Sequence, residues 1–365
     1  MGMIWLARTD DTLPDFISPN QRRASSINLE GAGTSGYLGI GSIIVEATFD
    51  QIKQESSPLI ECSLAGGTEG HFSLWVDSFG SAKAQIKSKD TVRSIKLAKK
   101  STETHAHLRV TFSWNALGQT ALLSVENPLR GTLDQAECKA ALPIPMQIIN
   151  ELLSHNTRAK IALNVSFLGI SDQIEPVGIA PTIAKGSPVR TPKGPVPIEN
   201  LKAGDLVTTT YNGPQSIRWI CERTMPTMGL SQPLRLRAPY FGLTRDILVA
   251  PEQRLLFENA EIEYLFGKDS ALAEVRHLAN SVTVLPEPAK TNGIRLFQLL
   301  FDQHEIISVA GCLMESLFVG QIADSPEILS STLLNGLSLE TVPRHENLAR
   351  PLLHSHEAAA LHFVA

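Results

Sequence analysis

Glu46, Asp77 and Glu126 are carboxylates that fall in or beside strand-like runs of the N-terminal half. A glycosidase needs two carboxyl groups flanking one bond, and on a single strand face that means a partner at i+2 or i+4. Within its strand-like run each of the three stands alone. Each reads as a solvent-face or turn residue, and a hydrolase in this half would lack its pair. His105 and His107, with Ala106 between them, would share a strand face at a spacing that could hold a metal. They and His71 have no evident carboxylate partner, so the pair reads as an exposed turn. Four more histidines, His345, His354, His356 and His362, crowd the C-terminus, but His354 and His356 are two apart and cannot share a helical face. Arg245, Asp246, Glu263, Arg276 and His277 could build a polar network beside a groove, with a surface salt-bridge set as the default. No metal and no cofactor are expected.

The remaining reactive or sticky groups are sparse. Four cysteines (Cys62, Cys138, Cys221, Cys312) include no Cys-x-x-Cys and read as buried free thiols. Arg93 and the run Lys96 to Lys100 form the densest basic cluster, read as a solvated turn with an anionic ligand as the alternative. Trp75 and Trp114 could act as platforms for a glycan or protein ligand if exposed, with core packing the default for both. A net charge of −5 and no dominant basic stripe argue against a nucleic-acid surface. No run reaches the roughly 18 apolar residues of a membrane span. The opening MGMIWLARTDD turns acidic too soon for a signal peptide, which implies a cytoplasmic protein or secretion by a signal-peptide-independent route.

The elements that would position these groups are mostly strands. At 365 residues, 43% hydrophobic and 19% charged, the chain has room for two domains with separate cores. After an N-terminal segment (1–25), strand-like runs follow at 37–49, 71–77, 107–114, 120–126 and 161–169, with weaker ones near 84–87 and 94–97. Alternating strands with polar turns and no long helical pattern predict an antiparallel β-sandwich over 26–170. Pro176, Gly178 and Pro181 interrupt any regular element, which makes 171–181 a linker. Beyond it, Pro188–Val189 and Val196–Ile198 flank the turn Pro192-Lys193-Gly194, and a second turn at Gly204-Asp205 leads into the run from Leu206 to Tyr211. After Gly320 the pattern turns helical. Ser325-Pro326 is an N-cap followed by Pro at N1, and a second amphipathic run covers Leu348 to Leu361.

The hairpin LRVTFSWNALGQTALLSVEN resembles a strand pair of concanavalin-like or laminin-G-like sandwiches. The stretch KGSPVRTPKGPVPIENLKAGDLV resembles the opening of a bacterial Hint (hedgehog/intein) domain. That likeness continues through NGPQ, IRW, LRLRAP, LVAP and FDQHE and ends near Glu315-Ser316. It implies an all-β fold over 182–320 and an ancestry in autoprocessing, and the helical pattern beyond it makes 321–365 a helical tail. In such domains the first residue's thiol or hydroxyl attacks the preceding carbonyl, and a histidine protonates the leaving amine.

Laid over that opening, Gly186-Ser187 takes the family's Gly-Thr, and the nucleophile position falls on Thr182, a poorer nucleophile than Cys. The family's Ser/Thr-Pro-x-His-Arg reads Ala250-Pro-Glu-Gln253-Arg254, so Gln253 stands where a proton-cycling histidine is needed. The Asp-x-His-Glu pattern survives as Asp302, His304 and Glu305. The resemblance thus implies Thr182, Gln253 and His304 as degenerate catalytic positions, supported by Ser187, Asp205 and Asp302. Glu315-Ser316 replaces the intein's terminal His-Asn, which excludes splicing. The expected function is a Hint-type scaffold for a β-sandwich. The alternatives are a glycan- or protein-binding sandwich and slow Thr182-dependent cleavage after Pro181. Oligomeric state is not readable.

Overall fold

The computed structural model describes residues 6–7, 16–17, 36–49, 58–64, 70–98, 105–153, 158–288 and 293–363. Most of the N-terminal segment 1–25, and Lys99 and Lys100 of the basic cluster, lie outside them, as does the side chain of His362. The chain is mainly β and divides into two compact units. One comprises Met1–Gly178 with Met228–Leu230, the other Ile179–Thr227 with Ser231–Ala365.

The first unit is built on two five-stranded antiparallel sheets among the described residues. One runs Thr132–Lys139, Thr120–Asn127, His107–Asn115, Ile40–Thr48, Val165–Ser171; the other runs Ala159–Ile161, Ile60–Ser63, His71–Val76, Ala82–Ser88, Thr91–Leu97. Period-two alternation turns Ile43, Val45, Leu108, Val110, Phe112, Trp114, Leu123 and Val125 of the first sheet onto Ile60, Phe72, Leu74, Ala84, Ile86 and Ile95 of the second. Trp114 is fully buried and its indole N–H donates to the Leu38 carbonyl at 2.9 Å. Gly41 makes room for that ring: a Cβ there would meet the indole at 2.6 Å.

Three elements differ from expectation. The weak runs near 84 and 94 are full strands, so Arg93 and Lys96 sit in Thr91–Leu97 rather than in a turn. His105 precedes the 107–115 strand and is 5% exposed, with Nδ1 2.9 Å from Asn127 Nδ2, not an exposed turn. A helix, Met146–Leu153, places Ile148, Ile149 and Leu152 in the sandwich core.

The second unit also has two sheets among the described residues. Its six-stranded sheet runs Trp219–Met225, Ile294–Leu300, Ile183–Ala184, Ile247–Val249, Leu234–Leu236, Val284–Pro286. The other runs Gly194–Pro197, Pro188–Thr191, Ile306–Val309, Cys312–Glu315, Arg254–Phe257, Ala271–Glu274, with the hairpin Leu206–Thr209/Gly213–Ser216 paired onto Ile306–Val309. The Pro192-Lys193 turn joins Thr191 to its register partner Gly194, whose φ of 108° only glycine adopts readily. Helix Ala260–Phe266 is capped by Asn259, whose side chain accepts the Ile262 amide, and closed by Gly267.

The C-terminal tail is less helical than its pattern suggests. Ser325 and Pro326 start a helix as expected, but it ends at Ser330. The Ser331 and Thr332 hydroxyls donate to the Ile328 and Leu329 carbonyls at 2.7 and 2.9 Å, offering the backbone an alternative to another turn. The second run forms a helix only over Ser355–Ala359. His354 is its extended N-cap, and from there its ring stacks on His356 at 5.7 Å. Upstream, residues 351–353 pair with the sheet: Leu272 N–H donates to Pro351 O and Leu353 N–H to Leu272 O, each at 2.8 Å. Leu348 and Leu352 pack on Leu256, Leu272 and Ile306, while Leu353, Ala358 and Leu361 join the main core.

Candidate functional site

Thr182 enters the second unit as the residue before its first strand. The adjoining strands hold it: its N–H donates to Phe297 O at 3.3 Å, and its carbonyl accepts from Ala250 N–H at 2.7 Å. It is 5% exposed, and its hydroxyl donates to the amide oxygen of Gln253 at 2.5 Å. Gln253 is wholly buried and fully engaged, because its NH2 donates to the carbonyls of Arg254 (3.0 Å) and Glu315 (3.3 Å). The latter bond reaches the last residue of the Cys312–Glu315 strand.

Glu315 is the hub. Its carboxylate lies 3.2 Å from Arg254 Nη1 and 3.2 Å from His304 Nε2. Thr182, Gln253 and His304 are therefore linked, in that order, through the backbone and side chain of a residue that the sequence reading set aside. The chain of charges runs on from Arg254 to Glu274 (3.6 Å), Arg276 (3.0 Å) and Glu252 (3.4 Å), with His277 3.6 Å from Glu274. Burial pushes the Glu274 carboxyl above its ordinary range, against the pull of Arg276 and Arg254. The five-residue polar network considered from sequence splits accordingly. Arg276 and His277 belong to this chain, whereas Asp246 accepts from the Ala238 amide and Arg245 donates to Gly186 O.

His304 makes two contacts that fix its tautomer. Its Nδ1 accepts the backbone N–H of Ala349, in the tail, at 2.9 Å, which leaves the ring proton on Nε2 facing Glu315. His345, also in the tail, accepts the Val319 N–H on Nδ1 at 3.3 Å and donates from Nε2 to Phe301 O at 3.2 Å. Phe318 lies against both rings, at 5.2 and 6.0 Å. Asp302 makes no contact with His304 among the described residues, although its charge and backbone act on His345. It is exposed and pairs with Arg218 at 3.1 Å, so His304 is held by Glu315 and the tail instead. Ser187 and Asp205 shape turns: Ser187 N–H donates to Ala184 O, and the Asp205 carboxylate accepts the Lys202 amide at 2.8 Å. No contact joins either of them to Thr182 among the described residues.

Burial pushes the thiols of Cys221 and Cys312 up to about 12 and that of Cys62 to about 11, so none of the three supplies a thiolate near neutrality. No cluster of three or more His, Cys, Asp or Glu side chains suited to a metal occurs among the described residues.

Burial lowers the His345 pKa, and repulsion from His304 when both rings carry a proton adds to this. The folded state then binds this proton less readily than the unfolded chain. Its stability is unaffected well above the ordinary value near 6.5 and falls as pH drops through that value towards the lowered one. His277 acts with the same sign, so the difference between variants isolates His345. The melting temperature of the wild type should fall by about 2–4 °C more than that of His345→Gln between pH 7.5 and 5.5. Parallel curves would rule this contribution out.

In the first unit the carboxylates are not isolated. Glu46, Arg109 and Glu126 occupy one register row across three adjacent strands. Arg109 donates from Nε and Nη2 to one Glu46 oxygen at 2.9 and 2.8 Å, and the other oxygen accepts the Leu230 amide at 2.7 Å. Glu126 accepts the Gly178 amide at 2.8 Å. Glu46 and Glu126 are 1% and 8% exposed, so neither is a solvent-face residue. Asp77 does build a turn, accepting the amides of Phe79 and Ser81.

The second unit is thus a mainly β domain in which the residue before the first strand, a buried glutamine and a histidine converge on one strand end. Residues 181–321 match the Hint domain family. Among solved structures, the chain is similar to a bacterial intein-like domain from Clostridium thermocellum, at 14% identity over 38% of this chain and 100% of that one, with a TM-score of 0.27. It is also similar to the CBM40 of a Ruminococcus gnavus IT-sialidase bound to α2,3-sialyllactose (12% identity, 38% and 77% coverage, TM-score 0.25). A third likeness is to mouse laminin α1 domains LG4-5 (10% identity, 79% and 73% coverage, TM-score 0.23). No curated protein matches the chain.

Proposed function

We propose that the Hint domain of this protein no longer processes itself and serves as a scaffold joined to a β-sandwich module. One observation carries the reading: the Thr182 hydroxyl donates its proton to the amide oxygen of Gln253. An acyl shift needs a base to take the hydroxyl proton and an acid to protonate the leaving amine. An amide does neither at neutral pH. His304 is engaged by Ala349 and Glu315, with its free proton turned towards a carboxylate.

The test is intact mass of the purified full chain over several days, with and without hydroxylamine or a strong thiol. A single species at full mass is expected throughout. Two fragments split before Thr182, abolished by Thr182→Ala, would replace this reading with slow threonine-dependent cleavage after Pro181. With a single species throughout, the function of the protein rests on the sandwich, as a glycan- or protein-binding module. Trp75 favours that second role, because it is only half-buried on a sheet face where a platform would have to lie.

A further inference from the structure

The face of the sheet Ala159–Ile161, Ile60–Ser63, His71–Val76, Ala82–Ser88, Thr91–Leu97 that points away from the sandwich core is ordered in rows by its register. One row is Trp75, Lys83, Lys96; the next is Glu61, Ser73, Gln85, Ser94. In the first row two lysines lie directly opposite each other on neighbouring strands. Like charges in that relation destabilise a sheet. Neither lysine has an ion-pair partner among the described residues. The carboxylates nearby are committed elsewhere: Glu61 pairs with Lys160 at 3.7 Å, and Asp77 is bound by the turn amides of Phe79 and Ser81. An uncompensated like-charge pair beside a half-buried indole is a local conflict of the kind that function retains.

We infer that the Trp75–Lys83–Lys96 row is a binding surface for an acidic carbohydrate, a sugar carrying carboxylate or sulfate groups. The inference rests on the binding role proposed for the first unit and gives it a ligand class. The indole offers a flat apolar platform for the face of a sugar ring, and the two ammonium groups neutralise an acid group at its edge. Gln85 and Ser94 in the adjoining row can hydrogen-bond hydroxyls. A single aromatic with two cations suits one sugar unit better than a polynucleotide, which calls for a track of aromatics and several phosphate contacts.

The experiment titrates the full chain with a sulfated glycan (heparin), a carboxylated one (polygalacturonate), neutral dextran, poly-glutamate and a single-stranded oligonucleotide. Saturable, salt-sensitive binding of heparin or polygalacturonate but not dextran is expected, and the two acidic arms identify the acid group. Lys83→Gln/Lys96→Gln, and separately Trp75→Ala, should weaken it by about tenfold or more, the change expected when desolvated charge and aromatic contacts are lost. Lys96→Glu keeps the inference testable if Trp75→Ala fails to fold. It should abolish binding while raising the melting temperature, because it turns a repulsive pair into an attractive one. Absence of acidic-glycan binding, or binding that ignores these substitutions, overturns the inference. So does tighter binding of poly-glutamate or oligonucleotide. Saturable binding of dextran alone would preserve a glycan-binding sandwich while refuting the acidic ligand.

Discussion

Thr182→Cys combined with Gln253→His is expected to make the chain split before residue 182. The geometry for this is in place: residue 182 is fixed by backbone bonds to Phe297 and Ala250, and the residue 253 side chain already touches its hydroxyl. A thiol at 182 would attack the Pro181 carbonyl carbon, forming a C–S bond as the Pro181–182 C–N bond breaks. An imidazole at 253 would pass the thiol proton to the departing amine, and hydroxylamine would then release the thioester as a hydroxamate. Restoring a general acid–base group accounts for roughly a hundred- to ten-thousand-fold in rate, and a thiol adds more than a hydroxyl can. Intact mass in hydroxylamine reads the result. Each single substitution should stay far slower than the pair. A double variant that remains at full mass would show that more than these two side chains has been lost, with the stiff Pro181 carbonyl and the tail over His304 as the next places to look.

The second large effect is in the sandwich. Arg109→Ala should destabilise the first unit by about 3–5 kcal/mol, the range seen when one partner of a buried ion pair is removed. The reason is specific: Glu46 is 1% exposed and loses both charge-assisted bonds, keeping only the Leu230 amide. Denaturant unfolding measures the loss. Glu46→Gln/Arg109→Met, which removes both charges, should recover much of it. A change under about 1 kcal/mol for Arg109→Ala would mean that the row behaves like a solvent-exposed pair.

This row marks where sequence reading stops. Glu46, Arg109 and Glu126 lie 63 and 17 positions apart, and only the strand register makes them neighbours. Each strand's alternation was legible, because period two is a local property. The pairing between strands is not local. The Hint blocks were legible for the opposite reason: turns such as Pro192-Lys193-Gly194 depend on residue types fixed by φ, which a sequence displays directly. Thr182, Gln253 and His304 could be aligned to a pattern, whereas Glu315, which connects them, carries no pattern of its own. The helix Met146–Leu153 left a readable trace after all. Ile148, Ile149 and Leu152 follow helical spacing just beyond Pro145, but the segment was too short to stand out against the surrounding strands.

The tail bears on how the second unit can be handled as a molecule. Ala271–Glu274 is the last strand in its sheet order, and residues 351–353 supply hydrogen bonds to Leu272 on its outer side. A chain stopped near residue 320 would leave those groups bare, next to the apolar side chains of Leu256, Leu272 and Ile306. Such an edge is a template for another chain, and self-association through it is the ordinary outcome. The smallest piece that keeps this edge covered therefore extends past residues 351–353 and the helix Ser355–Ala359, and a recombinant fragment should be designed around them rather than around the limit of the family match.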